Sequence, residues 1–193
     1  VERFLAAVSV FERLGVEMPL RHLANSGGVL YFPQTHLDLI RPGILLYGVY
    51  PDVSSPHVLD VRPALQLKSK VSFYKSIPAG YSVSYGSTWT SERASNISTV
   101  PLGYGDGYRR QLSNCGEVLI NGKRRSIAGR VCMDQFMVNC ENEAIKIDDE
   151  VVLIGQHKDQ SITVEEISAL ADTIPYEILT NLNERLPRIY TNE

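Results

Sequence analysis

The sequence is short of cysteine, and its apolar residues never form a long run. Its 193 residues include three cysteines, Cys115, Cys132 and Cys140, and four scattered histidines. An odd number of cysteines without paired spacing indicates neither a disulfide framework nor a metal site, so we expect a reducing cytoplasm and no metal. No stretch approaches the ~20 apolar residues of a membrane-spanning helix, and residues 1–14 lack a signal-peptide pattern, so we expect no membrane partner.

Neither sign of charge is in large excess. Lys and Arg number 19 and Asp and Glu number 22, which gives a net charge of -3. Nucleic-acid binding needs a clustered basic face, so we expect no nucleic-acid partner. The densest basic group, Lys123-Arg124-Arg125, follows a turn signal and indicates a solvated loop. The 44% hydrophobic and 21% charged residues are ordinary for a globular protein of one or two domains.

The first 50 residues alternate between helical and strand patterns. Apolar residues recur at helical spacing over residues 1–14, and Gly15 predicts the end of that helix. Residues 22–24 and 37–40 predict two short buried strands, each followed by turn residues. This order is typical of the βα units of a parallel barrel or a doubly wound sheet. An eight-stranded barrel takes ~250 residues, so two strands predict a larger protein or an N-terminal partner segment.

The pattern changes at residues 51–63, a proline-containing stretch that predicts a linker. Beyond it the apolar residues alternate, which predicts strands at residues 65–73, 97–102, 117–120, 126–128 and 151–154. Asn121-Gly122 predicts a tight hairpin, and Thr163 to Glu166 predicts the capped start of a helix over residues 164–172. The predicted fold class is mainly β, with an antiparallel barrel-like or sandwich domain after the βα elements.

Two segments of the first 50 residues each have two interpretations. They could bind an anion, or they could be an ordinary helix cap and an ordinary turn. Asn25-Ser26-Gly27-Gly28 joins a strand to a helix, where exposed backbone N–H groups suit a phosphate, although Ser26 also suits a plain helix cap. Arg41-Pro42-Gly43-Ile44 ends the next predicted strand, and Gly43 would let a ligand approach the backbone closely. A surface arginine before a turn is the alternative for Arg41.

Three later segments combine glycine with chemically active side chains. Residues 83–89 carry Tyr85 in a Gly- and Ser-rich loop, where a phenol can exchange protons, although most tyrosines pack structurally. Residues 101–110 place three glycines around Tyr104 and Asp106, which predicts an irregular exposed loop or an ordinary long turn. Residues 127–135 predict a strand that bends at Gly129 and ends in polar residues, as in a bulged strand.

Together these five segments resemble the bacterial alanine racemases, whose order and spacing they share from residue 1 to about residue 190. Each segment alone is unspecific, but five in register make the resemblance strong. The family combines an N-terminal (β/α)8 barrel that holds pyridoxal phosphate with a mainly β C-terminal domain, in head-to-tail homodimers. The resemblance implies that residues 1–50 are the last barrel elements, residues 51–63 the linker and residues 64–193 the C-terminal domain.

The implied activity is the interconversion of L- and D-alanine for cell-wall peptidoglycan, with pyridoxal 5'-phosphate as cofactor. By resemblance, Ser26 and the backbone N–H groups of Gly43 and Ile44 contact the cofactor phosphate. Tyr176 also reaches the phosphate. Arg41 is the partner of the pyridine nitrogen, and His22 orients Arg41.

The resemblance also assigns residues to the substrate alanine. Tyr85 is the catalytic base on one face of the α-carbon, acting in the site of the partner subunit. The backbone N–H of Met133 binds the substrate carboxylate. Tyr104 and Tyr176 form walls of the gate to the site. Three charged residues line the corridor that leads to it: Arg110, Arg130 and Asp134.

One feature departs from the family. The lysine that holds the cofactor lies near the start of complete members, whereas the six lysines here all lie beyond residue 67 and match no such motif. We therefore expect the chain alone to hold no cofactor covalently and to racemise nothing. Three alternatives stay open: a related decarboxylase, disfavoured by Arg41, a non-catalytic dimerisation or interaction module, and a serine racemase.

Overall fold

The structure is a computed structural model that describes residues 1–191. It divides into two compact units, Val1–Ala64 and a second unit that begins at Leu65. In the first unit, helix α1 spans Glu2–Arg13 and helix α2 spans Ser26–Tyr31. Short 3-10 helices follow at Pro33–Thr35 and Gly43–Tyr47. The predicted end of α1 is confirmed, because Gly15 adopts a φ of +74°, which stops the helix.

The two strands predicted in the first unit are wrong as buried strands. The segments run side by side through a single parallel bridge between His22 and Leu39, and Arg41 N–H donates to Ala24 O at 2.9 Å. Leu39 and Ile40 are 40% and 41% exposed. A parallel ladder needs further strands and cover on both faces, which the first unit does not supply among its described residues.

The expected linker, residues 51–63, contains no regular helix or strand but folds back on the first unit. The Tyr50 hydroxyl donates to Leu59 O at 2.6 Å, and Ala64 N–H donates to Tyr47 O at 3.0 Å. A Cβ at Gly48 would sit 1.7 Å from Arg62 O, so this glycine admits the returning chain. Whether residues 51–63 act as a linker stays a prediction.

The second unit is an antiparallel sheet, as predicted. Its strands are β1 Leu67–Lys70, β2 Phe73–Ile77, β3 Ser82–Val83, β4 Trp89–Thr90, β5 Ser95–Val100, β6 Glu117–Ile120, β7 Lys123–Ala128, β8 Phe136–Glu141, β9 Glu150–His157 and β10 Gln160–Ile162. The path of hydrogen-bonded strands runs β1-β9-β6-β7-β8-β5-β2, with β10 paired to β9 and a separate β3-β4 hairpin.

The two end strands of this sheet, β1 and β2, are adjacent in the chain, which makes the sheet barrel-like. They are not paired with each other in the strand path, so the sheet is not closed. The alternating run at residues 65–73 is not one strand, because neighbouring residues bond to opposite ends of the sheet path. Val71 N–H donates to Asp149 O at 3.0 Å, whereas Ser72 N–H donates to Thr99 O at 2.9 Å. Strand β1 therefore pairs with β9 at one end and β2 with β5 at the other.

The local signals at turns and helix starts are confirmed. Asn121 and Gly122 adopt φ values of +54° and +79° between β6 and β7, as a two-residue hairpin with left-handed residues requires. Helix α3 spans Val164–Leu170, and the hydroxyl of its N-cap Thr163 accepts from Glu166 N–H at 3.1 Å. Helix α4 spans Pro175–Thr180. Within residues 1–191, no helix is long and apolar enough to cross a membrane.

Candidate active site

In the first unit, Ser26 joins the starts of two short helices. The Asn25 side chain caps α2 by accepting from Gly28 N–H at 2.9 Å. Ser26 is buried, and its hydroxyl donates to the carbonyl of Pro42 at 2.6 Å. Pro42 is the N-cap of the Gly43–Tyr47 helix. The two predicted anion-binding segments therefore lie side by side, as the resemblance requires.

These two helix starts leave backbone donors without acceptors. The N–H groups of Ser26, Gly27, Gly43 and Ile44 donate to nothing in the part of the chain that the structure describes. A Cβ at Gly27 would meet the Asn25 carboxamide at 3.5 Å, and one at Gly43 would meet Ser26 Oγ at 3.6 Å, so backbone crowding is absent at both. Four unpaired N–H groups beside a hydroxyl fit a phosphate.

Arg41 and His22 lie on neighbouring segments next to this cradle. The parallel pairing of His22 with Leu39 and of Ala24 with Arg41 puts His22 and Arg41 diagonally on one face. Both side chains are exposed, and no hydrogen bond joins them within the described residues. The orientation of Arg41 by His22 therefore stays a prediction.

An ion pair fixes this pair of segments. The Arg21 guanidinium donates to both carboxylate oxygens of Asp38, at 2.8 Å and 3.0 Å, and Arg21 N–H also donates to Asp38 at 3.0 Å. These hydrogen bonds lower the pKa of Asp38 to about 2. The carboxylate therefore stays charged throughout the range of ordinary assay pH and keeps the segments in register.

In the second unit, Tyr85 stands on the turn between β3 and β4. Its side chain is 74% exposed, so the phenol is presented to solvent and not to a hydrophobic interior. The turn backbone is contorted, with positive φ at Ser84 (+67°), Gly86 (+74°) and Ser87 (+46°). Such a turn presents Tyr85 outward, as a candidate proton-transfer residue requires.

Arg130 touches this turn through its backbone and its side chain. Ser84 Oγ donates to Arg130 O at 2.9 Å and accepts from Arg130 N–H at 3.1 Å. A Cβ at Gly86 would lie 3.5 Å from Arg130 Nε, so the guanidinium passes beside the turn. A Cβ at Gly129 would lie 2.6 Å from Ser84 Cβ, so glycine is needed for the close approach.

Asn114 holds the same corner, and the sequence pattern did not single it out. Its side-chain oxygen accepts from Gly129 N–H at 2.8 Å, and its own N–H donates to Gly129 O at 3.1 Å. Its amide also donates to Thr88 Oγ1 at 3.1 Å. The residue preceding Cys115-Gly116 carries no motif, so only these long-range hydrogen bonds reveal that Asn114 supports the Tyr85 turn.

The loops that carry Tyr104 and Met133 are joined by their backbones. Tyr104 N–H donates to Cys132 O at 2.9 Å and Gly105 N–H donates to Met133 O at 2.8 Å. The N–H of Met133 itself donates to no group within residues 1–191, and its side chain is 54% exposed. This N–H is therefore available to a carboxylate, as the resemblance implies.

Arg185 links these two loops, although it lies 51 residues after Asp134 in the chain. Its Nε donates to Asp106 at 2.7 Å and its Nη2 donates to Asp134 at 2.8 Å. The pKa of Arg185 is raised above its ordinary value, first by the hydrogen bond to Asp106 and then by that to Asp134. Asp106 is buried and also accepts from Gly103 N–H at 2.7 Å. Sequence reasoning missed Arg185, which has no local signal.

Tyr176 and Arg110 are both exposed, and an ion pair joins the segments that carry them. Tyr176 is on α4 and 41% exposed, and the next residue, Glu177, accepts from Arg109 Nη2 at 2.8 Å. Arg110 begins a 3-10 helix and lines a cleft of about 420 Å³ that Tyr104 also lines. The described contacts thus group Tyr85 with Arg130, Tyr104 with Met133, and Tyr104 with Arg110.

Tyr108 is excluded as a second proton-transfer residue. Its side chain is 3% exposed, and its ring stacks on Phe136 with centroids 5.3 Å apart. Burial raises the pKa of Tyr108 well above its usual range. Three exposed tyrosines around these loops carry the candidate chemistry: Tyr85, Tyr104 and Tyr176.

The described residues thus form an antiparallel β unit that presents exposed tyrosines, after a first unit of βα elements that carries an anion cradle. The family model of the alanine racemase C-terminal domain matches residues 64–190, and that of the alanine racemase N-terminal domain matches residues 1–51. The chain therefore belongs to the alanine racemase family.

Individual relatives agree with this assignment. The alanine racemase of Carboxydothermus hydrogenoformans is 52% identical over 192 residues, covering 98% of this chain and 52% of that relative. The crystal structure of alanine racemase from Streptomyces lavendulae matches with a TM-score of 0.93 and 39% identity over 100% of this chain and 51% of its own. The crystal structure of alanine racemase from Bacillus anthracis with bound L-Ala-P matches with a TM-score of 0.88 and 37% identity. That match covers 98% of this chain and 49% of the Bacillus anthracis chain. The chain thus spans about half the length of its relatives.

Proposed function

We propose that the complete protein is a pyridoxal-phosphate-dependent alanine racemase that interconverts L- and D-alanine for peptidoglycan synthesis in the cytoplasm. The observation that carries the proposal is the exposed Tyr85 phenol, held on a turn that is hydrogen-bonded to the segment leading to Met133. That segment offers an unpaired N–H for the substrate carboxylate within the described residues. A proton-transfer group and a carboxylate donor on one scaffold are what racemisation of an amino acid needs.

The cradle in the first unit fits the cofactor phosphate. Ser26 and the N–H groups of Gly43 and Ile44 would hold the phosphate, with Tyr176 as a further ligand. Arg41 would donate a hydrogen bond to the pyridine nitrogen, oriented by His22. Pyridoxal phosphate, when bound, supplies an electron sink for the charge that forms at the α-carbon. Arginine stays protonated, so Arg41 hands no proton to the ring.

Racemisation requires one base on each face of the planar α-carbon. Tyr85 would hold or accept the proton on one face at its phenolic oxygen, and a lysine of the N-terminal barrel segment would serve the other face. The Met133 N–H would fix the carboxylate, with Tyr104 and Tyr176 as walls of the gate. The charged side chains of the corridor, Arg110, Arg130 and Asp134, would steer the zwitterionic substrate.

We further propose a head-to-tail homodimer in which Tyr85 of the partner subunit completes each site. The exposed phenol has no hydrogen-bond partner within residues 1–191, which suits a group that acts outside its own unit. A shared site makes activity depend on dimerisation. Activity should therefore fall with dilution below the dissociation constant of the dimer.

Complementation tests the function. This chain and a separately produced N-terminal barrel segment are mixed with pyridoxal phosphate and assayed for loss of optical activity of L-alanine and of L-serine. We expect each part alone to be inactive and the mixture to racemise alanine in preference to serine. A mixture that forms a stable complex without racemising either substrate would indicate an interaction module, and serine preference would refute the substrate assignment.

Replacing Arg41 by Glu in the complete enzyme should change the balance of products. A carboxylate shares a proton with the ring nitrogen, which drains more charge from the α-carbon and slows its reprotonation. We expect racemisation to fall and pyruvate formation by transamination to rise relative to it. Pyruvate can be measured with lactate dehydrogenase during the assay. Arg41→Lys keeps the positive charge and serves as control, and an unchanged product ratio in Arg41→Glu would refute this role.

A further inference from the structure

Ser84, immediately before Tyr85, holds a backbone conformation that only glycine adopts readily. Its φ is +67° and its ψ is 173°. This region is essentially restricted to glycine, so a residue with a side chain is strained there. Strain of this kind persists only where surrounding contacts determine the conformation.

Those contacts are all made to one neighbouring segment. The Ser84 hydroxyl donates to Arg130 O and accepts from Arg130 N–H, at 2.9 Å and 3.1 Å. The preceding residue, Val83, is buried, so the turn cannot shift toward β3. On the other side, Gly129 leaves no free space, because a Cβ there would sit 2.8 Å from Val83 O. The serine side chain thus replaces two backbone hydrogen bonds at the point where β3 ends.

We infer that Ser84 is a positioning residue that sets the direction of Tyr85 through this two-way clamp on Arg130. The inference rests on the proposed function, in which Tyr85 transfers the proton on one face of the α-carbon. Because Tyr85 is 74% exposed, packing does not fix its direction. The strained Ser84 backbone does so, and the same clamp sets the distance between the Tyr85 turn and the Met133 loop.

The two simplest substitutions separate the clamp from the strain. Ser84→Ala keeps a Cβ in the strained region and removes both hydrogen bonds, so the turn should relax. Ser84→Gly also removes the hydrogen bonds but makes the same backbone conformation favourable. Positioning therefore predicts a larger effect for alanine than for glycine, whereas a loss of hydrogen bonds alone predicts equal effects. Ser87→Ala is the matched control, because Ser87 has positive φ in the same turn and no side-chain hydrogen bond within the described residues.

The clamp can be tested on this chain without cofactor. Amide hydrogen exchange at Arg130 N–H should accelerate about tenfold in Ser84→Ala, because its acceptor is lost and the strained turn relaxes away from it. In Ser84→Gly the acceptor is also lost, but the turn keeps its conformation beside the amide, so exchange should accelerate less. Exchange should remain unchanged in Ser87→Ala. Equal exchange at Arg130 in all variants would overturn the clamp, whatever the activity of the complete enzyme.

The consequence for Tyr85 is tested in the complete holoenzyme by measuring α-proton exchange with solvent alongside racemisation. For the enantiomer whose α-proton faces the lysine, exchange without inversion should persist in Ser84→Ala while racemisation falls about tenfold or more. The ratio of exchange to racemisation therefore rises for that enantiomer, and Ser84→Gly lies between alanine and wild type. A general structural defect would lower both processes for both enantiomers equally and would overturn the inference. An unsubstituted enzyme without racemase activity would instead refute the proposed function.

Discussion

Tyr85→Phe in the complete enzyme is expected to lower racemisation by about 10²- to 10⁴-fold, the range that one general acid–base group contributes. Fold stability should not change, because the phenol is 74% exposed and makes no hydrogen bond within residues 1–191. Racemisation of both enantiomers falls together, since every turnover uses both faces. The measurement is kcat/KM for L- and D-alanine by circular dichroism, with thermal unfolding of each variant.

Tyr81→Phe is the matched control for this experiment. Tyr81 is 49% exposed near the same hairpin, and Lys75 Nζ lies 5.3 Å from its ring centroid, a contact that phenylalanine keeps. We expect its activity to stay near that of the wild type. Racemisation that survives in Tyr85→Phe, or falls equally in Tyr81→Phe, would show that the Tyr85 phenol is not the base.

The fold of the second unit follows from sequence where the signal is local. The β6-β7 hairpin needs two left-handed residues, which Asn121-Gly122 supplies. The α3 cap needs a hydroxyl, which Thr163 supplies. The break after Val71 was not predictable, because alternation fixes which face is buried and not which neighbouring strand each residue bonds. Only the pairing of β1 with β9 and β2 with β5 reveals it.

Strand β8 shows the opposite case, in which a local signal is present although the motifs of this region predict no strand there. Phe136, Val138 and Cys140 are fully buried at every second position, which is the alternation expected of a strand with one covered face. The bulged strand predicted over residues 127–135 is wrong beyond Ala128, because β7 ends there, residues 129–135 form a loop, and β8 begins at Phe136. In the first unit the reverse happened, because apolar residues such as Leu39 predicted burial that the described residues do not supply.

The residues of the candidate site likewise fall into two groups, those with a local sequence signal and those without one. The residues that we propose to contact ligand stand in glycine-rich segments, so Ser26, Tyr85 and Met133 could be predicted from motifs and resemblance. Residues that hold those segments in place were not. Asn114 and Arg185 act across long stretches of sequence, through hydrogen bonds to Gly129 and to Asp106. Such partners depend on tertiary contacts, for which one sequence offers no periodicity or spacing.

Gly103→Ala is expected to lower the free energy of unfolding by about 3–5 kcal/mol, because overpacking adds to the loss of two hydrogen bonds. A Cβ at Gly103 would sit 2.2 Å from Cys132 O and 2.5 Å from Met133 O. Both obstacles are backbone atoms, so no side chain can move aside. The loops must separate, which breaks the bonds from Tyr104 N–H and Gly105 N–H. Urea unfolding of this chain, followed by far-ultraviolet circular dichroism, measures the loss.

Alanine substitutions at two further glycines give a graded series. The space around the added Cβ, and not the loss of a glycine as such, should decide how far each substitution lowers stability. At Gly105 the nearest atom is the flexible end of Arg185, at 2.6 Å, so Gly105→Ala should cost less than Gly103→Ala. At Gly80 no heavy atom lies within 4 Å, and the φ of +79° alone should cost about 1–2 kcal/mol. If Gly103→Ala were no more destabilising than Gly80→Ala, the two loops would not be locked together, and the Met133 N–H would lose the fixed position that the carboxylate site requires.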